Sequence, residues 1–211
     1  MGAKTWMLVY ASVNVAEVLK DGPSLDRDAT LKLARSLFPK EKIEPIGDGD
    51  LSYTCPPDDE LHIGCFRGVS ILAAKEFGID YPSRLPQRFI AAGGSGTVYL
   101  HAMDSVVDWL AFAQWTNGEL VRSLSLSPGS GIMEDLGPRL LFEDPYWLGR
   151  RPLPDDADDY PFPFHPLELA EEALKEFFGY QLEGPDGPML TDPESIPLVK
   201  YKRSSSRWKL W

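Results

Sequence analysis

Two apolar-rich runs, Val107 to Thr116 and Glu119 to Ser127, are joined by Asn117-Gly118. Asn-Gly readily supplies the positive φ that both central residues of a type I′ turn require, so the segment predicts a two-residue β-hairpin. No other feature constrains the chain as much, because a two-residue turn sets a pairing register and a register decides which side chains share a face. Counting outward from the turn sets Trp115 opposite Leu120, Ala113 opposite Arg122, Ala111 opposite Leu124 and Trp109 opposite Leu126. That face is apolar apart from Arg122 and is expected to be the core face. The other pairs Gln114 with Val121, Phe112 with Ser123 and Leu110 with Ser125, and is mixed. An arginine between Trp109 and Trp115 has up to five donors to satisfy. It either holds a carboxylate or phosphate ligand in its fork, or stacks on a tryptophan and pairs with an internal acid.

Around the hairpin, periodicity and punctuation order the rest. Thr5 to Ala11 reads as a strand, and Leu25 to Phe38 as a helix capped by Asp26 and stopped by Pro39. Lys42 to Ile46 and Glu60 to Phe66 are strand candidates. Val69 to Phe77 suits either state by length and composition, and is read as a helix. Pro82 to Gln87 is a proline-bounded loop, followed by a short helical turn that ends in Gly93-Gly94-Ser95-Gly96 and enters a strand over Thr97 to Met103. Gly131 to Asp135 and Arg139 to Phe142 look like a second, shorter hairpin. Arg150 to Phe164 reads as an extended surface crossing. A helix follows with Pro166 at its first position and Gly179 just past its end. Its apolar stripe is Leu167, Ala170, Leu174, Phe177 and Phe178, with Glu168, Glu171, Glu172 and Glu176 turned mostly to water. Helices toward both ends and a meander between them indicate α+β: a mainly antiparallel sheet with the central hairpin and helices packed on one face.

A chain of 211 residues fits one domain, expected over residues 1–184, with an irregular C-terminal tail over 185–211 that is basic from 200. Residues 200–211 hold five of the basic side chains and no acid, which leaves sixteen basic against thirty-two acidic residues in the remainder. A body so acidic repels phosphate backbones, which disfavours a nucleic-acid partner. The tail reads as a frayed terminus or as a strap on the acidic body. No apolar run approaches the length of a membrane span, and the start of the chain lacks a signal-peptide core, so a cytoplasmic location without membrane contact is expected. Cys55 and Cys65, separated by nine residues, form no metal-ligand spacing and are expected to be reduced. No metal or cofactor is expected.

Candidate catalytic residues gather just before and after the hairpin. His101 with Asp104 and Asp108 offers a histidine near two carboxylates, which suits general-base work, and Glu134 adds an acid from the shorter hairpin. The alternative is a histidine whose hydrogen bonds are satisfied at a strand end. Asp48, Asp50 and Asp59 resemble the start of a calcium loop, but Tyr53 stands where the loop needs glycine, so turn chemistry explains them. The glycine cluster at 93–96 follows a helix rather than opening one, so it is a C-cap rather than a phosphate cradle. His165 before Pro166 reads as an N-cap or packing residue. Pro145-Tyr146-Trp147 and Phe162-Pro163-Phe164 either pin loops to the surface or line a groove for a peptide or small apolar ligand. Candidate binding residues are therefore Arg122, Trp109, Trp115, Tyr146 and Trp147.

Several runs taken together carry a resemblance: Met1 to Thr5, Pro82 to Pro86, Leu100 to Ala113, Leu120 to Pro128, Glu134 to Gly137, Phe142 to Trp147 and Pro163 to Leu169. In these the chain resembles a family of uncharacterised bacterial proteins over roughly residues 1–184. The resemblance implies one domain and no particular chemistry. The residues then favour a non-catalytic module that binds a protein or small molecule, with a homodimer through the mixed hairpin face also allowed by Phe112 and Val121. The alternative is a small hydrolase using His101, Asp104, Asp108 or Glu134 around Arg122.

Overall fold

The structure, a computed structural model, describes residues 2–151, 153, 160–183 and 190–205. Its first half runs β1 (Lys4–Ala11), α1 (Val15–Lys20), α2 (Arg27–Leu37), β2 (Glu41–Asp50), β3 (Glu60–Phe66), β4 (Val69–Ala73) and α3 (Gln87–Ala91). The second runs β5 (Thr97–Asp104), β6 (Trp109–Thr116), β7 (Glu119–Ser127), β8 (Gly131–Leu136), α4 (Asp144–Trp147), α5 (Pro166–Phe178) and β9 (Pro197–Ser205). All nine strands form one sheet in the order β2-β9-β3-β4-β1-β5-β6-β7-β8, every neighbouring pair antiparallel. The chain is thus α+β on an antiparallel sheet. Among the described residues no helix is long and apolar enough to cross a membrane.

Both faces of the sheet are covered, not one. Met7, Val9 and Ala11 of β1 pack beneath α1, α4 and α5 with Leu110 and Phe112. Leu8 and Tyr10, on the opposite side, pack with Ala34 and Leu37 of α2, Phe89 of α3 and Phe77 of the 3₁₀ turn at 75–77. A strand buried on both sides reads as a continuous apolar run, and alternation alone does not reveal that a second layer exists.

The terminal signals act locally and appear where the residues predict them. Asp26 accepts the Ala29 N–H at 2.9 Å and caps α2. His165 Nδ1 accepts the Leu167 N–H at 3.3 Å to cap α5, Pro166 fills its first position, and Gly179 at φ 78° ends it. Gly93 to Gly96 follow α3 and lead into β5; a Cβ on Gly96 would lie 2.5 Å from the Ala11 carbonyl oxygen. Val69 to Phe77, expected as a helix, is strand β4 followed by a single 3₁₀ turn, because β4 is flanked by β1 and β3 and buried on both faces. Residues 197–205, expected within an irregular tail, form β9 between β2 and β3. The basic side chains there meet acids of their neighbours: Lys202 pairs with Asp59 and Glu60, and Arg203 with Glu76 and Glu41. Residues 152 and 154–159 of the extended crossing expected over Arg150–Phe164 lie outside the described residues, as does the tail beyond 205.

The hairpin forms at the expected turn, with Asn117 at φ 53° and Gly118 at φ 80°. Thr116 pairs with Glu119 and Trp115 with Leu120, as the turn dictates. Beyond them the register slips by one: Gln114 pairs with Arg122, Ala113 with Ser123, Phe112 with Leu124 and Leu110 with Leu126. Val121 is the extra residue of a β-bulge, and a one-residue slip sends every later side chain of β7 to the other face. Leu124 and Leu126 thereby join Phe112 beneath α5, and Ser123 and Ser125 take the face of Trp109 and Trp115. The mixed face expected to be available to a second copy is closed: Phe112 is fully buried against Phe142 and Phe177. The shorter hairpin expected between Gly131–Asp135 and Arg139–Phe142 does not form; Gly131–Leu136 instead turns back on β7 as β8. Arg139 to Phe142 is no strand; β8 ends at Leu136, and a 3₁₀ turn at Leu141–Glu143 leads into α4.

Candidate functional site

Arg122 lies on the face opposite Trp109 and Trp115, so it is not the arginine of a tryptophan-lined core. Its side chain is fully buried. Its Nε and Nη2 donate to the two carboxylate oxygens of Glu143 at 2.8 and 2.7 Å, and Nη1 donates to Asp135 and to the Leu136 carbonyl at 3.1 Å. Glu143, equally buried, also accepts the Leu140 N–H at 2.8 Å and the Trp147 indole N–H at 3.4 Å. The fork is therefore closed on internal acids, and it ties β7, β8 and the 141–147 segment together. The pairing with an internal acid is as the residues suggested; the tryptophan neighbours are not.

His101 is also fully buried, between the sheet and α5. Its Nε2 donates to the Ala170 carbonyl at 3.0 Å, so the neutral ring accepts at Nδ1, where the Thr5 hydroxyl donates at 2.8 Å. Burial lowers its pKa to about 4. Both nitrogens are engaged and the side chain is fully buried, so in this structure it takes no proton from a substrate. A histidine whose folded pKa is depressed contributes stability that is complete above the unfolded value of 6.5 and is lost as pH falls toward about 4. The loss is of the order of 3 kcal/mol. The ring NMR signals of His101 are accordingly expected to hold their neutral positions from pH 8 to pH 5; a midpoint near 6.5 would mean that water reaches the ring.

The candidate acids are not brought together around it. Asp104 pairs with Lys4 at 2.9 Å and accepts the Val106 N–H of its own turn. Asp108, at φ 49°, accepts the Tyr160 hydroxyl at 3.3 Å and stands 3.7 Å from His165. Glu134 faces the other side of the sheet, where Ser123, the Ser83 N–H and the Ser83 hydroxyl donate to it. Asp48 is held by Arg27, Asp50 by Ser52 and Asp59 by Lys202, so they form no cation loop. Cys55 and Cys65 are free thiols, and no three metal-binding side chains converge among the described residues. Trp109 and Trp115 are buried core residues, with the Trp109 indole N–H donating to Ser125.

Tyr146 and Trp147 remain, and they lead to a cleft. Pro145 lies in the first turn of α4, which turns Tyr146 inward, where its hydroxyl donates to the Glu168 carbonyl at 3.2 Å and its ring meets Phe164 edge-on. Trp147 packs on Phe164 and lies under the Arg139 guanidinium. One side of Tyr146 lines a cleft of about 650 Å³ between the end of β5 and α5; another lines a hollow of about 270 Å³ reaching Leu141. Arg151 and Glu172 border both. The apolar surface comes from Ala3, Met103, Leu167, Leu141, Phe142 and Pro145, and most of the charge comes from α5, with Arg151 and Glu183 outside it. Glu168 and Glu176 are exposed, and Glu172 holds Lys175 at 2.9 Å.

Glu171 was expected to face water, yet it is 8% exposed. Burial raises its pKa to about 7, although the N–H groups of Leu182 and Glu183 donate to it at 2.8 and 3.1 Å. A carboxyl group raised in this way favours the native state below its ordinary value of 4.5, and that contribution is lost as pH rises through 7. Burial likewise pushes the Tyr146 phenol up to about 12. Among the described residues lining the cleft, no nucleophile stands beside a base. It offers noncovalent surface: an aromatic and aliphatic wall facing a row of carboxylates.

A second cleft of about 570 Å³ lies between the end of α2 and the outer edge of β2. Its charges balance, Arg35 and Lys42 against Glu41 and Glu44, and it has no aromatic lining. Sequence reasoning found Tyr146 through its proline–aromatic neighbourhood. It missed the α5 carboxylates, because an exposed row of glutamates reads as an ordinary solvated helix face.

No curated protein and no solved structure matches the chain. One family model matches residues 5–201, from the start of β1 into β9, so it embraces the sheet core, the Arg122–Glu143 pair and α5 with its cleft. The chain belongs to that family, described as a family of unknown function (DUF6928).

Proposed function

We propose that this chain is a binding module, and that the cleft along α5 receives a protein segment or a small molecule. The observation that carries the reading is Tyr146, a candidate binding residue shared by two adjoining hollows whose other wall carries the α5 carboxylates Glu168, Glu172 and Glu176. Such a mixture of aromatic surface and few convergent charges is what ligand clefts are built from. The hydrolase alternative has less support, since it relied on His101, whose ring nitrogens are both engaged inside the core.

A thermal-shift screen of peptides and small metabolites tests the reading. A ligand present at a hundred times its Kd stabilises by about 2.7 kcal/mol, a Tm rise of about 5–10 °C for a chain of this size. The rise should shrink in Leu141→Ser and Glu172→Gln, which alter the cleft from either wall. Hits whose shifts are the same in both variants would place binding elsewhere and defeat the proposal.

A further inference from the structure

The spacing of the charges on α5 names the class of occupant, given the reading of the cleft as a binding site. Glu168, Glu172 and Glu176 recur every fourth residue and form one stripe along the helix. Four helical residues rise about 6 Å. In an extended peptide, alternate side chains point the same way and repeat at about 6.6 Å. A strand-like segment laid along α5 therefore presents every second side chain to successive carboxylates, and the intervening ones to the opposite wall. That wall is Leu141, Phe142, Pro145 and Tyr146. Leu141 is 90% exposed, the most exposed large apolar side chain among the described residues, and it sits at the mouth of the groove.

Among the described residues the stripe is neutralised from within only at its middle. Among the described residues, the carboxylates of Glu168 and Glu176 have no ion-pair or hydrogen-bond partner, while Glu172 holds Lys175. Arg151 lies on the Tyr146 side, 6.0 Å from the ring centroid. We propose that the α5 groove binds an extended peptide segment of a partner protein with Arg or Lys at alternate positions and apolar residues between them. Cations lie along Glu168, Glu172 and Glu176, and apolar side chains lie against Leu141 and Tyr146.

The test is fluorescence anisotropy on the full chain with a labelled Arg-Leu-Arg-Leu-Arg-Leu peptide and its counterpart carrying Gln for Arg. Affinity for the first should fall about tenfold between about 50 and about 500 mM salt, as expected for partly screened charges. Glu168→Gln with Glu176→Gln should weaken it by about three- to tenfold, from two exposed ion pairs. Leu141→Ser should weaken it severalfold, and Glu119→Gln at the hairpin tip should leave it unchanged. All four sites are exposed or partly exposed at the surface, and an unaltered Tm confirms that each variant folds. Absence of binding, or binding indifferent to the paired glutamate substitutions, overturns the proposal. So does competition by spermine with no effect of Leu141→Ser, which would make the site a simple polyamine sink. If the Gln peptide binds as tightly and remains sensitive to Leu141→Ser, the cationic preference fails while the cleft stands as a binding site. If neither peptide nor any thermal-shift hit responds to the cleft variants, the binding-site reading itself fails.

Discussion

Arg122→Met is expected to destabilise the protein by about 3–5 kcal/mol at neutral pH, the usual consequence of removing one partner of a buried ion pair. The change leaves the Glu143 carboxylate fully buried, with only the Leu140 N–H and the Trp147 indole to compensate it. Asp135 is affected less, because about a third of its side chain reaches solvent. The cost is therefore concentrated on one stranded charge rather than on the lost contact area of the arginine. It follows that Arg122→Met combined with Glu143→Leu should recover most of the loss, since well-packed apolar replacements of a buried pair are often neutral. Urea denaturation of the two single variants and the double variant measures the coupling directly. A single Arg122→Met within about 1 kcal/mol of the parent would show that Glu143 finds water or another donor, and that the network is not what holds the 141–147 segment against β7.

Gly137→Ala should be nearly as damaging, for a steric reason. Gly137 takes φ 79°, and a Cβ there would lie 2.1 Å from the carbonyl oxygen of Val121, the bulged residue of β7. The left-handed conformation alone costs an alanine about 1–2 kcal/mol, and forcing an atom into filled space typically adds about 1–3 kcal/mol. Neither obstacle is the movable end of a side chain: the nearby atoms are backbone, and withdrawing Val121 means disturbing the bulge that delivers Arg122 to Glu143. Gly118→Ala is the internal control. Its φ of 80° is almost the same, but nothing lies within 4 Å of the added Cβ, so it should lose only the conformational part. Equal losses at the two glycines would show that the bulge yields freely and that its geometry does not depend on Gly137.

These two residues also mark where reading from the chain stops. The Asn117-Gly118 turn, the Asp26 cap and the Pro166/Gly179 boundaries of α5 are legible because each depends on atoms within a few residues of the signal. The bulge at Val121 is different. Nothing local to Leu120-Val121-Arg122 announces it; it is set by Gly137 approaching from the next connection and by Glu143 twenty-one residues away. The expected register was right for two pairs and then wrong by one residue, which was enough to put Arg122 on the wrong face. Val69 to Ala73 and Pro197 to Ser205 were misread for a related reason. Their strand character comes from the neighbours they lie between, and a tail whose glycine and proline density beyond Glu183 suggests irregular chain shows its last strand only once Asp59, Glu60 and Glu76 are set beside it.

By itself, the sequence determined the α+β class, the central hairpin turn, the α5 boundaries and the family, since these follow from short-range backbone preferences and from runs of residue types. Tertiary structure decided which face each side chain of β7 occupies, that helices cover both faces of the sheet, that residues 197–205 complete it, and that Tyr146 meets the glutamates of α5 at a cleft. Those outcomes depend on contacts between distant segments, where a one-residue bulge or a single facing acid changes the result and leaves no periodic trace in the chain.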